Sequence, residues 1–389
     1  MTDTPTSTTD PTTAQHAAPP AGQRVSLVRI PGPDVTRAVA LIGVVVMNYH
    51  GYLNGSQAVA QPGDSFATRL FDPWTGVLST RFAASFMLVA GVGVTLLTER
   101  SRTSRDRAAI TAERWRLIRR GALLYGFGFV LDWIWPGTIL FFYGAAFVIA
   151  GLIFHLRTRW IATIGAVSAL GGATLHWWAA ARAADSNAPD WLLSPGTLGT
   201  RSPRGLLFDT FVNGTHPLLP WMAFMCAGIV IGRHLRNLPL LRVGAAAAVA
   251  VAVSYTLNHV LSAGHAGDTV RLALVSTSPF DRGLLYTANA LGTAVVALCA
   301  VTWICRRVPE SRVLRVLQVA GQTTLSLYVL HVLVFNVVVN QLGVVRHTGL
   351  DTALVFALVF WLIALALAWM WHDLFGRGPL EVLYRRFGG

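Results

Sequence analysis

The stretch Val35-Thr-Arg-Ala-Val-Ala-Leu-Ile-Gly-Val-Val-Val-Met-Asn-Tyr-His-Gly-Tyr-Leu53 decides the fold. At roughly 1.5 Å of rise per residue, an apolar block of about 20 residues crosses about 30 Å of hydrocarbon as a helix. Such blocks alternate with short polar loops almost to the C-terminus. The rhythm predicts an all-α, polytopic integral membrane bundle of about ten transmembrane helices. They are read at 35–53, 77–97, 117–135, 137–156, 160–181, 217–233, 243–262, 284–305, 317–340 and 352–372. Trp135-Pro-Gly137 marks a tight hairpin, since Pro and Gly stop one helix and turn the chain.

Composition narrows the class. Only 13% of the residues are charged, against about 25% in a soluble domain, and 53% are hydrophobic. The formal charge is +13 and all 31 basic residues are Arg, a usage that points to a GC-rich bacterial genome. The Arg residues stand in loops between apolar blocks, which is the pattern of topology signals and lipid contacts rather than of nucleic-acid binding. Cys226, Cys299 and Cys305 all fall in apolar blocks without metal-ligand spacing, so neither a disulfide framework nor a metal site is expected.

Residues 1–28, rich in Thr, Pro, Ser and Ala, are expected to form a disordered cytoplasmic tail. Residues 29–375 form the membrane domain and 376–389 a cytoplasmic C-terminal tail. With the N-terminus inside, the inner segments hold 23 Arg and the outer segments 7, with Arg81 just within a span. Both termini are therefore expected in the cytoplasm, with the longer loops 182–216 and 263–283 outside.

This topology sorts the polar residues. Asn48, His50, Arg81, Asp132, His216 and His331 fall in the outer half, and a polar group in hydrocarbon needs a partner or a purpose. For His216 and Asp132 a headgroup position is the plain alternative; for His331 it is a helix–helix hydrogen bond. At the inner end Asp34 and Arg37 share a helix face at i and i+3 and can pair, with Asp34 capping the helix. The loop from Glu99 to Arg120 holds eight Arg, including Arg119 and Arg120. These are stop-transfer charges and lipid contacts, or a cradle for a polyanion such as the phosphates of coenzyme A. Gly91, Gly93, Gly121, Gly126 and Gly128 suit close helix packing.

The run from Asp34 to Asn48 resembles the first helix of the YeiB-like bacterial membrane proteins, a family similar in turn to the heparan-alpha-glucosaminide N-acetyltransferases. Arg81 to Gly93, Arg119 through Tyr143, and Pro220-Trp221 with Gly228 and Gly232-Arg233 resemble further family motifs. Gly321-Gln-Thr-Thr-Leu-Ser-Leu-Tyr328-Val-Leu-His331 resembles the last motif, and also the closing motif of integral-membrane sugar O-acyltransferases. In those enzymes a His stands fourteen residues after the Asp of the first span; here that position is Asn48, with His50 about 200° further round the helix.

The resemblance implies a transmembrane acyltransferase-like domain over 29–375, in the bacterial plasma membrane. It would move an acyl group, acetyl first among them, from cytosolic acyl-CoA to a hydroxyl or amine acceptor such as a sugar or secondary metabolite. No bound cofactor is implied, and the partners are membrane lipids and a small-molecule acceptor. His50 or His331 would be the base or briefly carry the acyl group, and Asn48 or Arg81 would stabilise the oxyanion. Arg81, Asp132 and His216 would bind substrate, with Asp132 able to orient a His, and Asp34, Arg37, Arg119 and Arg120 would stand on the donor side. The alternative is a secondary transporter of a small metabolite, with the same polar residues lining a pathway.

Overall fold

The computed structural model describes residues 30–54, 65–104, 106–185, 203–346 and 349–389. The expected tail 1–28 and much of the loop 182–216 lie outside them. The described residues contain helices and no strand. In chain order the helices are α1 (Pro31–Asn54), α2 (Phe66–Phe71), α3 (Arg81–Ser104), α4 (Arg107–Asp132), α5 (Leu140–Ile153), α6 (Thr158–Ala184) and α7 (Pro203–Phe208). They continue as α8 (Leu218–His234), α9 (Leu240–Ser262), α10 (Thr269–Val275), α11 (Leu284–Arg307), α12 (Arg312–Gln322), α13 (Thr324–Phe335), α14 (Leu350–Phe375) and α15 (Pro379–Gly388). Six stretches among the described residues are long and apolar enough to cross a membrane: Arg81–Ser104, Leu218–Asn237, Leu240–Ser262, Leu284–Arg307, Thr324–Gln341 and Leu350–Phe375.

α1 is the hub. It packs against α3, α11, α12, α13 and α14. Val35, Ala38, Leu41, Val45, Tyr49 and Leu53 recur at three- and four-residue spacing, and all are buried. By contrast α9 leans mainly on α11 and leaves Val249, Val253 and Leu257 exposed. An apolar surface of that kind is stable facing lipid.

Close crossings need residues without a side chain. A Cβ on Gly91 or Gly228 would strike the backbone of the other's helix where α3 crosses α8, and one on Gly121 would lie 2.6 Å from the Gly144 carbonyl oxygen where α4 meets α5. Gly128 likewise abuts the backbone at Phe141. Gly93 has only the Arg37 guanidinium at 3.3 Å, and Gly126 faces open space, so packing does not require Gly126.

Three local readings are corrected. The segment from Glu99 to Arg120 is largely helical: α3 runs to Ser104, and α4 starts at Arg107 because the Asp106 carboxylate accepts from the Ala108 N–H at 2.9 Å. Asp34 does not cap α1, which begins three residues earlier at Pro31; it sits in the first turn, where a carboxylate suits the helix dipole. The ninth span is not one helix. Thr323 takes non-helical angles (φ −116°, ψ 25°), separating α12 from α13, and the last turn, Asn336–Gln341, widens to π geometry.

The arginine-rich segments meet at one end of the bundle. Arg236 pairs with Glu99 at 3.4 Å, Arg306 donates to the Leu235 carbonyl, Arg233 donates to the Phe154 and Leu156 carbonyls, and Arg120 donates to the Gly389 carbonyl. We expect Gly121→Val to cost about 1–3 kcal/mol or more through overpacking, read as a lower thermal midpoint in detergent. Gly126→Ala should leave that midpoint unchanged or raised.

Candidate functional site

Two cavities lie along α1. One, of about 400 Å³, is lined by Asn48, Tyr52, Ser79, Thr80, Thr215, His216 and Tyr328 among others. The second, of about 310 Å³, lies at the arginine-rich end and is lined by Arg37, Arg120, Tyr143, Glu381, Tyr384 and Arg385 among others. Arg37 and Asn48 stand eleven residues apart on one helix, roughly 16 Å along its axis. Ile139 and Tyr328 line both cavities.

His331 stands behind the wall of the first cavity. It is fully buried, and Tyr49, Trp135 and Tyr328 surround it at ring-centroid distances of 5.9, 5.4 and 4.8 Å. Its Nδ1 meets the Tyr328 carbonyl oxygen, which can only accept, so Nδ1 carries a proton. In the neutral ring Nε2 then holds the lone pair, and the Asn48 amide donates to it at 3.2 Å. The Tyr49 hydroxyl donates to the His331 carbonyl at 3.1 Å, tying α1 to α13 a second time.

His50 is not brought to the same place. Its Nδ1 lies 2.9 Å from the Phe71 carbonyl oxygen, it is 3% exposed, and it lines neither cavity. The angular offset from Asn48 along the helix accounts for the separation.

Arg81 is committed to structure. Its guanidinium donates to Asn289 Oδ1, to the Thr277 carbonyl at 2.6 Å, and to the Ser79 carbonyl and Thr80 Oγ1, and it lies 5.1 Å from the Tyr286 ring centroid. It lines neither cavity but fixes Ser79 and Thr80, which line the first. Asp132 also acts at one remove. It accepts from the Gly137 N–H at 2.9 Å and holds the Trp135-Pro136-Gly137 turn, whose Gly137 (φ 83°) forms part of the rim and whose Pro136 carbonyl accepts from the Tyr52 hydroxyl.

His216 lines the first cavity, its Nδ1 2.9 Å from Thr215 Oγ1 and its ring edge-on to Trp221 at 4.6 Å. The segment carrying it is held by Arg282, which donates to the Asn213 and Gly214 carbonyls at 3.0 Å. Burial pulls the Arg282 guanidinium down to about 10, which still leaves it charged at neutral pH.

At the arginine-rich end Arg37 pairs with Asp34 at 3.3 Å and donates to the Gly321 carbonyl at 3.3 Å. Arg120 lies 5.3 Å from the Tyr384 ring centroid, and burial pushes that phenol up to about 12, so it stays neutral. Arg119 lines neither cavity and is exposed.

The residue that sequence reasoning missed here is Glu381. Its Oε1 accepts from the Leu325 and Ser326 N–H groups at 2.7 and 3.1 Å, and its Oε2 from the Ser326 hydroxyl. It thereby caps α13, the helix that carries Tyr328 and His331, at the break left by Thr323. The signal available was the amphipathic run Pro379-Leu-Glu-Val-Leu-Tyr384, with Pro in the first turn of a helix. We expect Glu381→Ala to destabilise the fold by about 1–3 kcal/mol, since two N–H groups lose a charged acceptor. Glu381→Gln should cost less; thermal unfolding in detergent, with limited proteolysis of α15, measures both.

Comparisons with known proteins agree with the sequence resemblance. A family model described as "Heparan-alpha-glucosaminide N-acetyltransferase, catalytic" matches residues 29–257, more than half of the chain. One described as "Protein of unknown function (DUF418)" matches residues 230–388. No curated protein matches the chain. Asn48 and His216 fall within the first match and His331 within the second, so the site draws on both. The chain belongs to the family of the heparan-alpha-glucosaminide N-acetyltransferase catalytic domain.

Proposed function

We propose that this multi-pass membrane protein transfers an acyl group, acetyl first among them, from acyl-CoA at the cytoplasmic, arginine-rich end to a hydroxyl or amine acceptor held in the outer cavity. The observation that carries this reading is the Asn48–His331 hydrogen bond of 3.2 Å, which puts the lone pair of an imidazole nitrogen behind an amide that lines the outer cavity. Arg37, Arg120 and Arg385 around the inner cavity supply forks for the donor's phosphates. His216 and Thr215 orient the acceptor.

The Asn48 amide turns from Nε2 toward the reacting carbonyl, where its N–H meets the developing oxyanion and leaves Nε2 open. Nε2 takes the O–H or N–H proton of the acceptor as the acceptor atom bonds to the thioester carbon. The C–S bond then breaks, and the departing thiolate takes the proton back from the imidazolium. Arg81, Asp132 and Asp34 support the walls and the inner rim, and His50 secures the end of α1.

A second reading has its own observation. Cavities from opposite ends of the bundle that meet at two residues are also what a secondary transporter of a small metabolite needs.

The test supplies the purified protein in nanodiscs with acetyl-CoA and a mixed sugar and amine pool. His331→Ala should lower acceptor-dependent coenzyme A release by about 100-fold or more. Asn48→Ala should lower it by about 100-fold with little change in KM, whereas His50→Ala should stay near the wild-type rate. An active His331→Ala protein would sink the assignment of the base. Ion-driven metabolite flux in proteoliposomes without coenzyme A release would favour the transporter.

A further inference from the structure

The two cavities approach each other at one place, and one side chain dominates it. Tyr328 lines the outer cavity of about 400 Å³ and the inner cavity of about 310 Å³, with Ile139 as the other shared residue. The Tyr328 side chain is tethered at its far end. Its hydroxyl lies 3.1 Å from Thr138 Oγ1 and accepts from the Ile139 N–H at 3.2 Å, so both tethers belong to the segment that enters α5.

These are neutral hydrogen bonds, the weaker class. Tyr328 is 4% exposed and belongs to the packed core, yet it contributes to the lining of both cavities, the space toward which the ring turns when the tethers are released. Its own carbonyl accepts from His331 Nδ1, three residues on, which puts the partition and the imidazole on adjoining turns of α13.

We infer that Tyr328 is the partition between the two cavities and that its bulk sets the length of acyl group able to pass from one to the other. The barrier is a property of the fold; the role in acyl selectivity rests on the acyltransferase reading. A short acyl group fits beside a displaced ring, and a long one collides with it.

The first arm tests the barrier without any turnover. Thr215→Cys places a thiol on the outer cavity, in a background with Cys226, Cys299 and Cys305 changed to Ala. A small, membrane-impermeant methanethiosulfonate is supplied to either face of sealed vesicles. With Tyr328 present, labelling is expected from the face opposite the arginine-rich end only. With Tyr328→Ala it is expected from both faces, and Tyr328→Phe, which keeps the ring and loses the tethers, should label at an intermediate rate. Retained labelling from the original face, together with a single size-exclusion peak, shows that each variant is folded. If Tyr328→Ala is misfolded, Tyr328→Leu replaces it. Labelling from both faces with Tyr328 present, or from one face in the folded small variant, overturns the partition.

The second arm compares acetyl-, butyryl- and octanoyl-CoA in acceptor-dependent coenzyme A release, without the added cysteine. Tyr328→Ala should raise the octanoyl-to-acetyl ratio of kcat/KM at least tenfold. An unchanged ratio overturns the selectivity role. Absence of turnover with every donor, alongside the expected labelling, overturns the acyltransferase reading and its selectivity while leaving the partition standing.

Discussion

A side chain as fully buried in the bundle as His331 has no water to turn to, and its bond with Asn48, which lines a cavity, is the answer this chain gives. The two residues are 283 positions apart in sequence. Each satisfies the other, and the match fixes how α1 and α13 are rotated about their axes. Tyr49 on the same turn of α1 reinforces that setting through the His331 carbonyl and through its stack on Phe356, with ring centroids 4.5 Å apart. The walls of both cavities follow from this docking. Asn48 faces one cavity because its partner is behind it, and Arg37, three turns down the same helix, reaches the other.

Much of the architecture was legible in the sequence because a bilayer leaves few choices. Apolar blocks of bilayer length fixed the helical class, and each of the ten proposed spans falls on helix, although six stretches among the described residues meet the length and hydropathy needed to cross. The Asp34–Arg37 pair followed from i,i+3 spacing, and the small residues at Gly91 and Gly121 from the need for close crossings. The break at Thr323 was not legible. The residue that caps the helix after it, Glu381, sits more than fifty residues downstream, and no local propensity reports a cap supplied from another helix.

The site was legible by residue type and blurred by angle. His331 and Asn48 were both marked out as polar intruders, yet only coordinates show that they meet. His50, two residues from Asn48, looked equivalent by depth, but it points to the Phe71 carbonyl. Arg81 and Asp132 looked like ligand groups because they are charged and near a membrane surface. The fold spends both on itself, Arg81 on four separate acceptors and Asp132 on a turn. Tyr328 lies within a motif that had been read for its His, and only the cavities on either side of it show its place.

The cap from Glu381 also orders events in time. Synthesis runs from the N-terminus, so α13 enters the membrane with the N–H groups of Leu325 and Ser326 lacking their final acceptor. They acquire it only after residue 381 has cleared the ribosome and α15 has folded back onto α4 and α13. During that interval the helix carrying the imidazole has an unfinished first turn, and the cavity at the arginine-rich end lacks the wall formed by Glu381, Tyr384 and Arg385. Insertion of α13 therefore precedes completion of the cavity that Glu381, Tyr384 and Arg385 line.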